Sequence, residues 1–295
     1  MTSAPRPRVV LVDGVPMSGL TAVVEQPRAV VVALHGGAST AAYFDCPGHP
    51  ELSLLRLGAD LGYTMVALDR PGYGSSAPYA ERADDPAQRT ALAYGAVQAM
   101  LGDRPRGAGT FLVAHSNGCE LALRMATDET AGRDVIGMEV AGTGFHYQDA
   151  ARDILRDATA TRRPSGLRAL LWEPAELYPD NVLTGITNSS TGAPYEAGMV
   201  AHWPRTDFPA LAARLRVPVH FSHAEHERVW RSDPEAISEI AAAFSAAPRF
   251  DSEFVADAGH NLSLGVNAAD YHRTVLAFAE QCVAARRPAI GLETR

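Results

Sequence analysis

Residues 110–127 read TFLVAHSNGCELALRMAT, and the pattern of side chains changes at Ser116. Residues 110–114 form a short apolar run of the kind found in buried strands, whereas residues 117–127 repeat apolar side chains at helical spacing. The pentapeptide 114–118, AHSNG, follows the pattern G-x-S-x-G except that its first glycine is Ala114, which is also small. The stretch therefore predicts a strand, a sharp turn at Ser116 and a helix.

A serine at such a turn has two interpretations. It can cap the helix that follows, because serine is among the preferred N-cap residues. It can also be a nucleophile, held with its hydroxyl exposed by a strained turn between strand and helix. The motif alone leaves both open, and the rest of the chain has to decide between them.

Composition restricts the class of protein. A chain of 295 residues with 46% hydrophobic and 20% charged residues has the composition and length of one large globular domain or two smaller ones. No apolar run is long enough to span a membrane, and no secretory signal is visible at the N-terminus. Three widely separated cysteines do not form a disulfide framework. These features predict a cytoplasmic protein.

Several function classes are excluded by the charged residues. All 26 basic residues are arginine, so chemistry that needs a Schiff-base or P-loop lysine has no residue to perform it. The net charge of −8 and the scattered arginines do not favour nucleic-acid binding.

Short β-branched runs alternate with helical patterns, which predicts βαβ units around a mostly parallel sheet. Strands are predicted at 8–12, 20–25, 29–34, 64–69, 110–114, 135–141, 217–222 and 250–255, and helices at 86–101, 117–127, 234–246 and 268–285. The first two strands form an antiparallel hairpin around Asp13 and Gly14. Residues 142–216 do not fit the alternation and are predicted to be a helical insertion, since so long a structureless loop is rare. The predicted core is 1–141 and 217–295.

Four segments, in this order, resemble the motifs of the α/β-hydrolase superfamily. They are residues 35–38 (HGGA), residues 69–76 (DRPGYGSS), the turn at Ser116 and residues 258–261 (AGHN). Each motif is weak alone, but their order and spacing are specific. The resemblance implies an α/β-hydrolase fold of about eight strands flanked by helices, with residues 142–216 as a lid. It also favours the nucleophile interpretation of Ser116.

A serine hydroxyl needs an imidazole to take its proton during attack. The resemblance implies that His260 is this base, because it lies in the family's histidine-bearing loop. The carboxylate that orients the base is expected after a strand between the serine and the histidine. By similarity to the family pattern, Glu227 is the first choice, with Glu225 and Asp233 as alternatives.

The stretch 220–227, HFSHAEHE, also suggests a metal site. Residues three apart on a strand point to opposite faces, so His220 and His223 would not converge, and no metal or other cofactor is predicted. The resemblance implies two backbone donors for an oxyanion, the N–H groups of Asn117 and Gly37, with Ala38 as the alternative to Gly37. Trp172 and Trp203 are predicted to contact substrate from the lid, although aromatic residues there can equally pack against the core.

The expected function is hydrolysis of a carboxylic ester, lactone or thioester of a small, largely apolar molecule. The mechanism would use a Ser-His-Glu triad and an acyl-enzyme intermediate. Two alternatives stay open, namely acyl transfer or cyclisation by the same triad, and ligand binding with little turnover.

Overall fold

The computed structural model describes residues 4–156, 164–185 and 190–286. Eight strands form one sheet in the order β1-β2-β4-β3-β5-β6-β7-β8. The strands are β1 (Arg6–Val12), β2 (Val15–Ala22), β3 (Val30–Leu34), β4 (Thr64–Leu68), β5 (Thr110–His115), β6 (Val135–Ala141), β7 (Val219–His226) and β8 (Phe250–Gly259). From β4 to β8 every neighbouring pair is parallel, which confirms the predicted mostly parallel sheet.

The predicted hairpin at the edge of the sheet is confirmed, with one change of boundary. Strand β1 pairs antiparallel with β2, and Val12 is paired with Val15 across the turn. Asp13 and Gly14 both have positive φ angles, as a tight two-residue turn requires. Because the turn contains only these two residues, β2 begins at Val15 rather than at the predicted residue 20.

Helices cover both faces of the sheet. They are α1 (Leu54–Asp60), α2 (Pro86–Leu101), α3 (Gly118–Thr127), α4 (Asp149–Arg156), α5 (Leu167–Trp172), α6 (Asp180–Gly185), α7 (Glu196–His202), α8 (Phe208–Ala212), α9 (Pro234–Ala243) and α10 (Ala268–Arg286). One core cluster packs under α2, α3 and α9, and the other under α1 and α10. The central strands are therefore buried on both faces, as their continuous apolar runs predict.

Helices α4 to α8 all lie between β6 and β7. Within the described part of this segment, short helices are joined by turns. Trp203 and Phe208 from this segment join the core cluster beside α3. Residues 157–163 and 186–189, which belong to the predicted insertion, lie outside the described residues.

Strands β7 and β8 extend further than predicted, to His226 and Gly259. His226, which follows the predicted strand 217–222, therefore belongs to β7 and not to a loop, because the two strands stay paired past a bulge between Ala224 and His226. As a result, Glu227 and His260 each directly follow the carboxyl end of a strand. Across the described residues, no helix combines the length and apolar character needed to cross a membrane.

Candidate active site

Ser116 occupies the turn between β5 and α3. Its φ angle is +53°, a left-handed conformation that is rare for residues other than glycine. The Ser116 N–H donates to the carbonyl of Ala141 at 2.8 Å, and the Ser116 carbonyl accepts from Cys119 N at 2.9 Å. The strained turn leaves Ser116 half-buried, although its neighbours Ala114 and Gly118 are buried. This is a geometry that exposes a side chain for chemistry rather than a relaxed helix cap.

His260 and Glu227 lie in line with this serine. The Nε2 atom of His260 is 3.3 Å from Ser116 Oγ. Its Nδ1 atom is 3.0 Å and 2.9 Å from the two carboxylate oxygens of Glu227. A carboxylate can only accept, so Nδ1 carries the proton and Nε2 is left able to accept one from the serine. Glu227 is itself fixed, since Oε1 also accepts from Val229 N at 2.8 Å.

Neither alternative carboxylate makes a contact of this kind. Glu225 is exposed on β7 and accepts from Asp257 N at 2.8 Å. Asp233 accepts from Ala236 N at 3.2 Å, which makes it the N-cap of α9. The hydrogen bond from Arg231, followed by that from Ala236, lowers the pKa of Asp233 to about 2. The geometry therefore favours Glu227 among the three.

His115 lies behind the site rather than in it. Its Nε2 atom donates to the backbone carbonyl of His260 at 2.8 Å, and its ring stacks on Tyr43 with centroids 4.7 Å apart. Burial, followed by the proximity of His260, lowers the pKa of His115 well below its usual value. His115 is thus a neutral support for the loop that carries His260.

The two residues expected to supply oxyanion donors, Asn117 and Gly37, lie close together, since a Cβ atom added to Gly37 would be 2.9 Å from Asn117 Nδ2. Asn117 is the first residue after Ser116, and its N–H is among those that have no partner within helix α3. Gly37 is exposed, whereas the N–H of the alternative, Ala38, already donates to Tyr73 Oη at 3.1 Å. This favours Gly37 over Ala38 as the second donor.

Three buried side chains beside Gly37 were not predicted from the sequence to have a functional role. Arg70 and Tyr73 belong to the turn 69–76, and Glu196 begins helix α7. Arg70 donates to both the Gly36 carbonyl and Glu196, and Tyr73 also donates to Glu196. The turn was recognised as a motif, but nothing in the sequence pairs it with a glutamate more than 120 residues later.

The two tryptophans predicted to contact substrate occupy different environments. Trp203 is 5% exposed, stacks on Phe208 and donates its indole N–H to Thr143 Oγ1 at 2.7 Å. Trp172 is half-buried, with its ring 5.2 Å from that of Tyr178. The contacts of Trp203 are thus those of a core residue, and Trp172 is the more accessible of the two.

The histidine-rich strand β7 separates its side chains as expected. His220 is buried and pairs with Glu139, while His223 lies against Phe254. Among the described residues, no three His, Cys, Asp or Glu side chains are placed to share a metal ion.

Comparison with known proteins identifies the fold. The family model described as "Alpha/beta hydrolase family" matches residues 31–275. Similar solved structures include a thioesterase domain from the curacin biosynthetic pathway, at 17% identity and a TM-score of 0.60, covering 93% of this chain and 100% of that one. Carboxylesterase CesB from Bacillus subtilis has 15% identity and a TM-score of 0.64, with 94% and 92% covered. The N-acyl homoserine lactonase AidH has 15% identity and a TM-score of 0.66, with 99% and 100% covered. No curated protein matches the sequence.

Proposed function

The chain belongs to the alpha/beta hydrolase family, and on that premise we propose that it is a serine hydrolase acting on a carboxylic ester, lactone or thioester. The observation that carries the proposal is the continuous line from Ser116 Oγ to His260 Nε2 at 3.3 Å and from His260 Nδ1 to Glu227 at 2.9 Å. These are the contacts that make a serine hydroxyl a competent nucleophile.

In the proposed mechanism, Ser116 Oγ attacks the acyl carbon while His260 Nε2 takes its proton. Glu227 holds the imidazole in the required tautomer and stabilises the imidazolium that forms. The carbonyl oxygen becomes an oxyanion and accepts hydrogen bonds from the N–H groups of Asn117 and Gly37. Collapse of this intermediate breaks the bond to the leaving alkoxide or thiolate, which receives the proton from His260. Water, activated by His260, then hydrolyses the acyl-enzyme.

Residues 142–216 are proposed to form the lid over this site. Two contacts of the segment support this role: Tyr178 Oη accepts from the N–H of Asn261, next to His260, and Glu196 lies beside Gly37. Trp172, the more accessible of the two tryptophans, would then line a largely apolar acyl pocket. The similar structures of a thioesterase, a carboxylesterase and a lactonase fit this substrate range, but they resemble the chain in fold alone. Three buried free cysteines support a cytoplasmic location.

The proposal is tested with Ser116→Ala. We expect this variant to lose both hydrolysis of a short p-nitrophenyl ester and labelling by a fluorophosphonate probe, because it removes the hydroxyl that faces the His260–Glu227 pair. Ser245→Ala, which changes an exposed serine beyond α9, is the matched control and should behave as wild type. Labelling that persists in Ser116→Ala would refute the assignment. A wild-type protein that is never labelled would point to ligand binding without turnover.

A further inference from the structure

The oxyanion donor Gly37 is held in place through the peptide group that it shares with Gly36. The Gly36 carbonyl accepts from His35 Nδ1 at 2.7 Å and from Arg70 Nη2 at 3.0 Å. In a trans peptide the C=O and N–H bonds point in opposite directions. Fixing the Gly36 oxygen therefore also fixes the direction of the Gly37 N–H.

The next peptide is held by Tyr73. The Ala38 N–H donates to Tyr73 Oη at 3.1 Å. Ala38 has a φ angle of +51°, which costs an L-residue with a Cβ atom about 1 to 2 kcal/mol. The hydrogen bond to Tyr73 helps to keep Ala38 in this conformation, and with it the shape of the loop that carries Gly37.

Glu196 joins the two side chains that hold these peptides. Its Oε1 accepts from Arg70 Nη2 at 2.6 Å and its Oε2 accepts from Tyr73 Oη at 2.6 Å. Arg70, Tyr73 and Glu196 are all buried. Because the Tyr73 hydroxyl donates its proton to Glu196, its oxygen is free to accept hydrogen bonds. It accepts one from Ala38 N and one, at 3.1 Å, from Ala193 N, which belongs to the same segment as Glu196.

The carboxylate also lies next to the donor itself. A Cβ atom added to Gly37 would be 3.2 Å from Glu196 Oε2 and 2.9 Å from Asn117 Nδ2, so the ends of these two side chains flank this glycine. A bare carboxylate here would repel an oxyanion. Burial is the largest single influence on the pKa of Arg70 and lowers it, but the charge of Glu196, the two neighbouring tyrosines and the hydrogen bond to Glu196 together raise it. The guanidinium therefore stays charged and balances Glu196.

From these contacts we propose that Glu196 is a positioning residue for the Gly37 oxyanion donor, so that the oxyanion hole is complete only when helix α7 is docked. The inference rests on the proposed function, since it assigns a role in stabilising the oxyanion. It makes the segment between β6 and β7 part of the catalytic machinery rather than only a wall of the pocket. Substrate that holds α7 in its docked position would therefore be hydrolysed faster than substrate that displaces it.

Glu196→Gln is the variant that tests this. Glutamine keeps the size of the side chain but has one acceptor oxygen, so it can serve Arg70 or Tyr73 and not both. We expect kcat for a p-nitrophenyl ester and the rate of fluorophosphonate labelling to fall about 10- to 100-fold, within the range for a misplaced oxyanion donor. KM should change less than about threefold. A trifluoromethyl ketone, which forms an oxyanion with serine, should lose affinity in parallel with kcat/KM.

Asp207→Asn is the matched control, because Asp207 belongs to the same segment as Glu196. Its ion pair is with Arg124 of α3 rather than with a residue of the loop 35–38. It should leave labelling and ketone affinity within about twofold of wild type. A purely structural role for Glu196 would lower the unfolding midpoint without selectively weakening the ketone. Unchanged kcat and ketone affinity in a folded Glu196→Gln protein would overturn the inference.

Tyr73→Phe provides a second measurement if Glu196→Gln does not fold. It removes only the hydroxyl that links Glu196 to Ala38, and it should give the same selective loss of ketone affinity. Normal ketone affinity in Tyr73→Phe would count against the inference. Failure of the proposed function can be told apart from failure of this inference. In the first case, the wild-type protein itself would show no labelling that depends on Ser116.

Discussion

Glu227 shows how a single hydrogen-bond partner separates carboxylates that look alike in sequence. Glu225 and Glu227 are two residues apart around the end of β7, yet only Glu227 contacts His260. Its side chain is also anchored by Val229 N, so little conformational entropy remains to be lost when it orients the imidazole. The extra methylene of glutamate relative to aspartate is accommodated because Glu227 lies just beyond the strand rather than within it.

The two glutamates should respond differently to the same substitution. Glu227→Gln keeps the shape but replaces an acceptor oxygen with a donor, so we expect kcat to fall about 10³- to 10⁴-fold through the wrong imidazole tautomer. Glu225→Gln should change kcat by less than about twofold, because Glu225 is exposed and its contacts are with the Asp257 N–H and His226. Steady-state hydrolysis of one ester substrate by both variants gives the comparison. A larger loss in Glu225→Gln would reassign the acid.

The turn between β5 and α3 explains why alanine is accepted at one flanking position and glycine is needed at the other. Ala114 lies within β5 and is paired with Leu34 of β3, where its methyl group is buried without distorting the strand. A Cβ atom on Gly118 would be 2.3 Å from the Leu34 carbonyl oxygen and 2.7 Å from that of His35. Both obstacles are backbone atoms at the end of β3, where the chain enters the loop 35–38, so they cannot move aside freely.

Substitutions at these two positions should therefore have unequal effects. Ala114→Gly should cost about 1 kcal/mol of unfolding free energy, from the lost methyl group and the flexible backbone, and leave fluorophosphonate labelling within about threefold. Gly118→Ala should push α3 away from β3, moving Ser116 and the Asn117 N–H, and slow labelling about 100-fold. Urea unfolding and labelling rates measured on both proteins check this. Equal labelling rates would show that the close contact at Gly118 is not needed.

Several histidines are buried away from solvent, which makes the stability of the whole molecule depend on pH. Burial, followed for His35 by the charge of Arg70, lowers the pKa of His35 well below its usual value. Burial also lowers the pKa of His272 to about 3, and within the described residues neither of its ring nitrogens has a hydrogen-bond partner. A group whose folded pKa is depressed stays neutral in the fold but binds a proton on unfolding. The contribution of these neutral histidines to the unfolding free energy is therefore fully present above the unfolded-state pKa of about 6.5, and it is lost as the pH falls below that value.

His272→Leu isolates one of these contributions. The variant should be at least as stable as wild type near pH 7, because it replaces a buried imidazole, which has no hydrogen-bond partner in the part of the chain that the structure describes, with an apolar side chain of similar size. Between about pH 6 and pH 3.5, the unfolding free energy of wild type should fall faster with decreasing pH than that of the variant. The two slopes should differ by about 1.4 kcal/mol per pH unit, which corresponds to one proton. His202→Leu, at an exposed site, is the control. Parallel pH dependence of His272→Leu and wild type in urea unfolding would contradict this account.

Much of the architecture could be predicted because it depends on local patterns. The buried parallel strands appear as continuous apolar runs, and α2, α3, α9 and α10 appear as helical repeats with errors of three residues or fewer at their ends. Helix α1 was missed because seven residues carry too little periodicity. The ends of β7 and β8 were missed because each strand is prolonged by pairing with the other, which neither sequence reveals alone.

The amino-acid sequence by itself determined the fold class and the residues of the turn at Ser116, because strand, turn and helix preferences act over a few neighbouring residues. It also brought Glu227 and His260 forward as candidates, through the resemblance of their segments to the motifs of the α/β-hydrolase superfamily. Only the tertiary structure separated Glu227 from Glu225 and Asp233, and only it placed Glu196 against Arg70 and Tyr73. Those choices depend on distances of about 3 Å between residues up to 144 positions apart, and such distances are set by packing of the whole chain.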